Sequence, residues 1–326
     1  MKISIIIPNY NGAKYLSVCL DSLSRQSFKP FEIIIVDNGS IDNSCQLISR
    51  NYSHIKLIRF SKNHGFSKAV NEGIKVAKGK YVVLLNNDTE AQEDWLYNLA
   101  NCINGDKKIF SCCSKMIQYY NKEKIDDAGD EYTILGWAYK RGDGLDIHKY
   151  KYNEEVFSSC AGAAIYRKSI FDKIGYFDED FFAYMEDVDI SYRAKIYGYK
   201  NIYCSKAKIF HIGSATSGSK YNSFKVKLAA KNNVYVIIKN MQLLQLFINS
   251  PFLILGFLIK IIFFYKKGFG KEYLIGLKEG LKTIKNINKV KFEKKNLLNY
   301  IKIEIDMIRN TFKYVFGKSI SKICKR

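Results

Sequence analysis

The stretch Lys2-Ile3-Ser4-Ile5-Ile6-Ile7-Pro8-Asn9-Tyr10-Asn11-Gly12 is an apolar run that stops abruptly in polar turn residues. Three runs of the same kind lie at residues 32–37, 55–60 and 80–86. Each is short and rich in Ile, Val or Leu, as a buried strand is. Between them the apolar residues switch to helical spacing. Leu16, Cys19/Leu20 and Leu23 make one stripe, and Phe66, Ala69/Val70, Gly73/Ile74 and Ala77 make another. Strands alternating with helices predict βαβ units and an α/β fold, a mostly parallel sheet flanked by helices. Ligands of such sheets bind beyond the carboxyl ends of the strands, where strand order reverses.

Three polar clusters fall at strand ends. They are Pro8 to Gly12, Asp37-Asn38-Gly39-Ser40-Ile41-Asp42, and Asn86-Asn87-Asp88-Thr89. Asn-Gly and Gly-Ser pairs are also ordinary turn chemistry. Three clusters on one sheet edge, each with an Asp or Asn, favour a polar ligand. Further on, Ile109–Gln118 reads as a strand and residues 168–173 as a short helix. Residues 186–197 read as a helix and 209–211 as a strand end. The stretch 126–144, rich in Gly, Asp and aromatics, reads as a loop that covers a site.

A chain of 326 residues is too long for one small module and short for three domains. With 47% hydrophobic and 25% charged residues it is neither disordered nor low-complexity. The formal charge of +21 points to an anionic partner. That charge is concentrated. Residues 220–326 hold 23 Lys and Arg against 5 Asp and Glu, whereas residues 1–219 hold 29 against 26. The expected organisation is an α/β domain over 1–219 and a basic helical extension over 220–326. Within the extension, 241–259 carries no charge, and the apolar character continues to 265. Its length suits a membrane span of about 20 residues, but Gln242, Gln245, Asn249, Ser250 and Pro251 interrupt it. Two stripes come next, Leu274, Leu277, Leu281 and Ile284, then Ile301, Ile305, Ile308, Phe312 and Val315. With Lys on the far face, they read as helices in a membrane interface or as a helical subdomain packed on the core. The expected location is the cytoplasmic side of the cell membrane, on an anionic surface. Attachment is peripheral or through the one hydrophobic segment 241–265.

The 8 Cys residues form no CxxC pair and no Cys/His cluster of zinc spacing, so reduced thiols are expected. The run before Pro8 is shorter than the roughly 7–15 residues of a signal-peptide core, so export is not expected.

The densest chemistry lies in Gly175-Tyr176-Phe177-Asp178-Glu179-Asp180-Phe181-Phe182-Ala183-Tyr184-Met185-Glu186-Asp187-Val188-Asp189. Carboxylates beside aromatics are partly desolvated, which raises their pKa and suits a general base. A helix start also favours Glu and Asp. Spacing alone supports both readings.

Taken together, the blocks resemble the family 2 glycosyltransferases of the GT-A fold, the nucleotide-diphospho-sugar transferase architecture. The likeness is to the bacterial rhamnosyltransferase-like branch of surface-polysaccharide assembly. It rests on Ser4 to Gly12, Val36 to Asp42, and Asn63-His64-Gly65-Phe66 with Ala69, Asn71 and Gly73. It continues in Leu85 to Thr89, in Gly175 to Asp189 with Arg193 and Gly198, and in His211. Residues 220–326 carry no comparable motif. The resemblance implies an inverting transfer from a UDP- or dTDP-sugar to a hydroxyl of a saccharide acceptor, expected to be lipid-linked, in cell-surface polysaccharide synthesis. It implies that Asp37 holds the base or ribose, with Pro8, Asn9, Tyr10, Asn63 and Asn87 lining the donor pocket. It implies a divalent cation, Mn or Mg, on Asp88 and His211. Asp187 is then the catalytic base, Glu186 its neighbour, and Trp137, Phe182 and Tyr184 face the acceptor. Trp137 also reads as a core residue. The family's metal motif is often Asp-x-Asp, and Asn86 stands in its earlier position, one charge fewer.

Two alternatives differ in class. A sugar-nucleotide nucleotidyltransferase shares the sheet but should carry a Gly-rich, Arg-containing loop where this chain has Pro-Asn-Tyr-Asn-Gly. A non-catalytic protein binding anionic membranes or nucleic acid would use the basic third. No nucleic-acid motif is found, so no nucleic-acid partner is expected.

Overall fold

The computed structural model describes residues 2–213 and 221–323. The first half is β1 (Ile3–Asn9), α1 (Ala13–Ser24), β2 (Phe31–Asp37), α2 (Ser44–Asn51), β3 (Lys56–Arg59), α3 (Phe66–Val76), β4 (Tyr81–Leu85), β5 (Thr89–Ala91) and α4 (Trp95–Asn104). Then come β6 (Ile109–Gln118), β7 (Ile125–Asp127), β8 (Asp130–Tyr132), β9 (Ala138–Lys140), β10 (Glu154–Val156), β11 (Ala163–Arg167), α5 (Lys168–Ile174), α6 (Glu186–Ile196) and β12 (Lys200–His211). Four long helices end the chain: α7 (Ser223–Asn240), α8 (Leu243–Lys266), α9 (Gly270–Thr283) and α10 (Leu297–Ile323).

The sheet runs β10-β12-β6-β11-β4-β1-β2-β3, with β5 on β12 and β7 on β6. Strands β4, β1, β2 and β3 are parallel neighbours, and the antiparallel β11 joins them to β6. The chain moves outward from β1 to β2 and β3, then returns to place β4 on the other side of β1. The order therefore reverses between β1 and β4, and a crevice forms beyond their carboxyl ends. Ile3, Ile5, Ile6 and Ile7 are all fully buried, because helices cover both faces. Leu16, Leu23, Trp95 and Leu99 of α1 and α4 pack in one apolar layer. Val70 and Ile74 of α3, Phe171 of α5 and Ile190 of α6 pack in the other.

One expectation is corrected. Residues 126–144 are not a covering loop. They contain β7 and the β8–β9 hairpin, in which Asp130 pairs with Lys140 and Tyr132 with Ala138. Ala128, Tyr132 and Thr133 are fully buried. Strands of three residues are too short to show a period in sequence.

The boundary expected at 219/220 lies outside the described residues. The C-terminal helices share a core with the α/β domain. Tyr132, Phe157, Phe181, Tyr192 and Ile196 pack with Tyr235, Ile237, Met241, Ile303 and Met307. Helix α9 meets α7 so closely that a Cβ on Gly276 would lie 2.1 Å from the Lys227 carbonyl oxygen. Each aromatic or aliphatic side chain buried there contributes about 1.5–3 kcal/mol.

A polar tie runs through the same contact. Asp189, on α6, is fully buried. Its Oδ2 accepts from Arg193 Nε at 3.0 Å and Nη2 at 2.8 Å, and from Lys239 Nζ at 3.0 Å. Its Oδ1 accepts from Asn240 Nδ2 at 2.9 Å. Lys239 also pairs with Asp178. Burial opposes the Asp189 charge, but Arg193 and Lys239 outweigh it and hold the carboxyl below its usual range. A lowered folded pKa contributes stability above the unfolded value of about 3.9, which is lost as pH falls through the folded pKa. Asp189→Asn leaves two cations facing a neutral amide in a buried site. It should cost about 3–5 kcal/mol in denaturant unfolding at pH 7. A loss below about 1 kcal/mol would show that the tie is not structural.

Candidate active site

The polar clusters meet in one cleft of about 1620 Å³ beyond the ends of β1 and β4. Pro8, Asn9, Tyr10, Asn63, Asn87, Asp88, Trp137, Phe182, Tyr184, Glu186, Asp187 and His211, all singled out from sequence, line it. Asp37 does not. It sits behind Asn9 with 1% of its surface exposed. Its Oδ1 accepts from Asn9 Nδ2 at 2.8 Å, and its Oδ2 from the Ser40 backbone N–H at 3.1 Å. Asn9 Oδ1 in turn accepts from Asn87 Nδ2 at 2.7 Å, which joins the ends of β1 and β4. Asn38, beside Asp37, lines the cleft and donates to Asn63 Oδ1 at 3.0 Å.

Strand pairing brings Asp88 and His211 together. Thr89 of β5 lies opposite His211 of β12, and the Ile212 N–H donates to the Asp88 carbonyl at 3.0 Å. His211 Nε2 then lies 3.5 Å from Asp88 Oδ1, and Nδ1 lies 2.8 Å from Asp126 Oδ2. Burial disfavours the imidazolium. The Asp126 and Asp88 hydrogen bonds outweigh it and raise the His211 pKa to about 9. A carboxylate on Nδ1 is how proteins orient an imidazole whose Nε2 faces a metal. Once deprotonated, this imidazole and the Asp88 carboxylate offer one nitrogen and one oxygen ligand to a divalent cation.

The acidic segment forms the opposite lip. It passes Phe182, Tyr184 and Met185 with φ of 61°, 67° and 71°. Three non-glycine residues in the left-handed region are held there by outside contacts. Asn232 of α7 donates through Nδ2 to the carbonyls of Phe181, Ala183 and Tyr184, each at 2.8 Å. From the other side, Gly65 (φ 88°) lets the start of α3 approach so closely that a Cβ would lie 2.5 Å from the Phe182 carbonyl oxygen. Helix α6 begins directly after this turn, with Glu186, Asp187 and Asp189 in its first turn. Asp187 Oδ1 accepts the Val188 N–H at 2.8 Å. Burial raises the Asp187 pKa above its ordinary value despite backbone hydrogen bonds that oppose it. Burial, then the Asp187 charge, raises that of Glu186, whose Oε2 has no hydrogen-bond partner among the described residues.

Trp137 faces the cleft while its Nε1 donates to the Gly256 carbonyl of α8 at 3.1 Å. It is therefore both a wall residue and a packing contact. Sequence reasoning missed Asp126, Asp130, Lys140 and Cys160, which also line the cleft. It missed Lys225, Lys260, Phe264 and Tyr273 from the C-terminal helices too. The acids at 126, 127 and 130 were visible, but nothing linked them to a His 85 residues later.

Residues 4–175, more than half of the chain, match the family model "Glycosyl transferase family 2". The chain belongs to that family. Its fold is GT-A. An uncharacterised glycosyltransferase of Rickettsia prowazekii is 31% identical over 193 residues, 59% of this chain and 58% of that protein. Another, of Bacillus subtilis, is 29% identical over 251 residues, 72% of this chain and 85% of that one. The matches to two further relatives span only 33% and 26% of their length, so the chain spans well under two thirds of several relatives. Among solved structures, Staphylococcus aureus TarS 1-349 with UDP-GlcNAc aligns at a TM-score of 0.55 and 20% identity, covering 97% of this chain and 92% of that one. A GalNAc-T enzyme with UDP, GalNAc and Mn2+ aligns at 0.61 and 18% identity, covering 73% and 48%. At these identities the likeness is one of fold.

Proposed function

We propose that this glycosyltransferase moves a sugar, with inversion, from a nucleoside-diphosphate sugar to a hydroxyl of a saccharide acceptor in bacterial cell-surface polysaccharide synthesis. The observation that carries the reading is Asp187, buried at the start of α6 in the same cleft as the Asn9–Asn87 bridge and the Asp88–His211 pair. Pro8, Asn9, Tyr10, Asn63 and Asn87 line the donor side, and Asp37 fixes Asn9 from behind. The solved relatives that carry UDP, UDP-GlcNAc or Mn2+ support a nucleotide-sugar donor and a cation. A UDP- or dTDP-sugar is the expected donor.

A hydroxyl is a weak nucleophile. Asp187, kept basic by burial, takes its proton as the oxygen attacks the anomeric carbon. The nucleoside diphosphate leaves from the opposite face, so one displacement inverts the centre. Retention would need a carboxylate nucleophile on the leaving-group face. Asp88 and His211 would hold the divalent cation, with Asp126 orienting the imidazole and Asn86 reducing the charge by one. Bound there, the cation supplies positive charge beside the diphosphate. Phe182, Tyr184 and Trp137 flank the acceptor side.

The C-terminal helices present a second surface. Leu243, Phe247 and Leu258 of α8 and Ile301, Ile305 and Phe312 of α10 are exposed apolar residues in the region that holds the surplus of Lys. Among the described residues α8 is the one helix long and apolar enough to cross a membrane. The proposed use is attachment to the cytoplasmic face of an anionic membrane, where a lipid-linked acceptor would lie. Buried apolar area plus about 1 kcal/mol per Lys near the leaflet would hold it there.

Three outcomes test this reading. Asp187→Asn should lower turnover by about 100-fold or more with little change in donor affinity; near-normal turnover removes Asp187 from the mechanism. Asp88→Ala should weaken donor binding and abolish stimulation by Mn, and a wild-type rate indifferent to chelator would exclude the cation. In flotation assays the full chain should follow phosphatidylglycerol vesicles at low salt and partly leave them at high salt. Recovery wholly in the unbound fraction at low salt would exclude the membrane surface.

A further inference from the structure

The β8–β9 hairpin leaves carboxylates that no described residue fully satisfies. Ligand atoms of Asp127, Asp130 and Cys160 lie within 4.8 Å of one another. Asp127 is 1% exposed, and its Oδ2 has no hydrogen-bond partner among the described residues. Lys140 Nζ lies 3.9 Å from that oxygen, beyond hydrogen-bond reach, and is drawn instead to Asp126 Oδ2 at 3.1 Å. Asp130 is 9% exposed, lines the cleft, and among the described residues makes hydrogen bonds only through its backbone. Leaving such groups unpaired costs stability. They persist where a ligand completes them.

Asp130 and the proposed base Asp187 line the same cleft. We propose that Asp130, backed by Asp127 and Cys160, is a subsite that binds hydroxyl groups of the acceptor saccharide beside the base. The proposal rests on the glycosyltransferase reading and adds the part of the cleft that selects the acceptor. Sugar hydroxyls are neutral donors, and the Asp130 carboxyl, which lines the cleft with its lone pairs free, accepts them. A metal ion fits less well. Lys140 already supplies the local cation, and burial together with the Asp127 and Asp130 charges keeps the Cys160 thiol protonated, whereas a metal needs the thiolate. Trp137, in the turn of the same hairpin, also lines the cleft, with Lys260 Nζ 5.6 Å from its ring centroid.

The chain has 2 Trp residues, and Trp95 is fully buried with its Nε1 on Ser114. A ligand-induced change in tryptophan emission therefore reports on Trp137. The probes are methyl glucoside, N-acetylglucosamine and ribitol, titrated into the full chain with UDP present. At least one should shift the emission. Asp130→Asn should raise its Kd at least tenfold while UDP affinity stays within threefold and Tm holds or rises. A merely structural carboxylate would lower Tm on the same change. Asp127→Asn, which keeps an oxygen for the Gly129 N–H, should act in the same direction and serves if the first variant does not fold. The proposal is overturned if no probe binds the wild type, if both variants bind as the wild type does, or if Zn2+ alone shifts the emission through Asp130. Failure to hydrolyse any nucleotide sugar, with saccharide binding intact, would sink the donor reading and leave the subsite standing.

Discussion

Asp189 is fully buried, yet Arg193 and Lys239 reach it from two different helices. Arg193 also donates to the carbonyls of Ile174, Gly175 and Tyr176, and Lys239 pairs with Asp178. The start of the acidic segment is thus fixed through cations, and its end through Asn232. The left-handed turn at Phe182, Tyr184 and Met185 lies between these anchors. Strain of roughly 1–3 kcal/mol per residue survives only where the surroundings over-determine the backbone. The direction in which Asp187 leaves the start of α6 is a product of that clamp.

Half of the clamp belongs to α7, so the C-terminal third helps to fix the backbone that carries Asp187. Its inner faces pack with Phe181 and Tyr192, while its outer faces expose Leu, Ile and Phe. The α10 stripe of Ile301, Ile305, Ile308, Phe312 and Val315 is exposed, while Tyr300, Ile303 and Met307 on the other face of the helix pack inward. Small residues such as Gly276 serve the packed side, which leaves the large apolar residues for the outer one.

The parallel half of the sheet was legible because its strands are buried on both faces and end in polar turns, so period and punctuation agree. The residues on those strand ends that line the cleft were singled out for the same reason. The hairpin at 130–140 was not legible, because Asp130, Tyr132, Ala138 and Lys140 form pairs only three residues deep. Asp126 was missed as a partner of His211 because their contact depends on β7 and β12 both pairing with β6, a long-range arrangement that no local pattern records. Asp37 was legible as a site residue but not as a supporting one. Nothing in sequence separates a carboxylate that faces a cleft from one that fixes the residue in front of it.

Charge decides what the cleft can hold. Its floor and lip carry Asp88, Asp126, Asp130, Glu186 and Asp187, with Asp127 behind them, against the Lys140 cation. Burial raises the pKa of Asp127 to about 6 and pushes up those of Asp130, Glu186 and Asp187. A diphosphate entering beside ionised carboxylates meets repulsion that low dielectric magnifies. Two features offset it. Asn86 replaces a carboxylate at the end of β4, and Lys225 and Lys260 line the cleft from α7 and α8. For the donor proposed above, repulsion is least between Asp88 and the lysine-bearing helices, and the hairpin acids lie where the proposed saccharide subsite is.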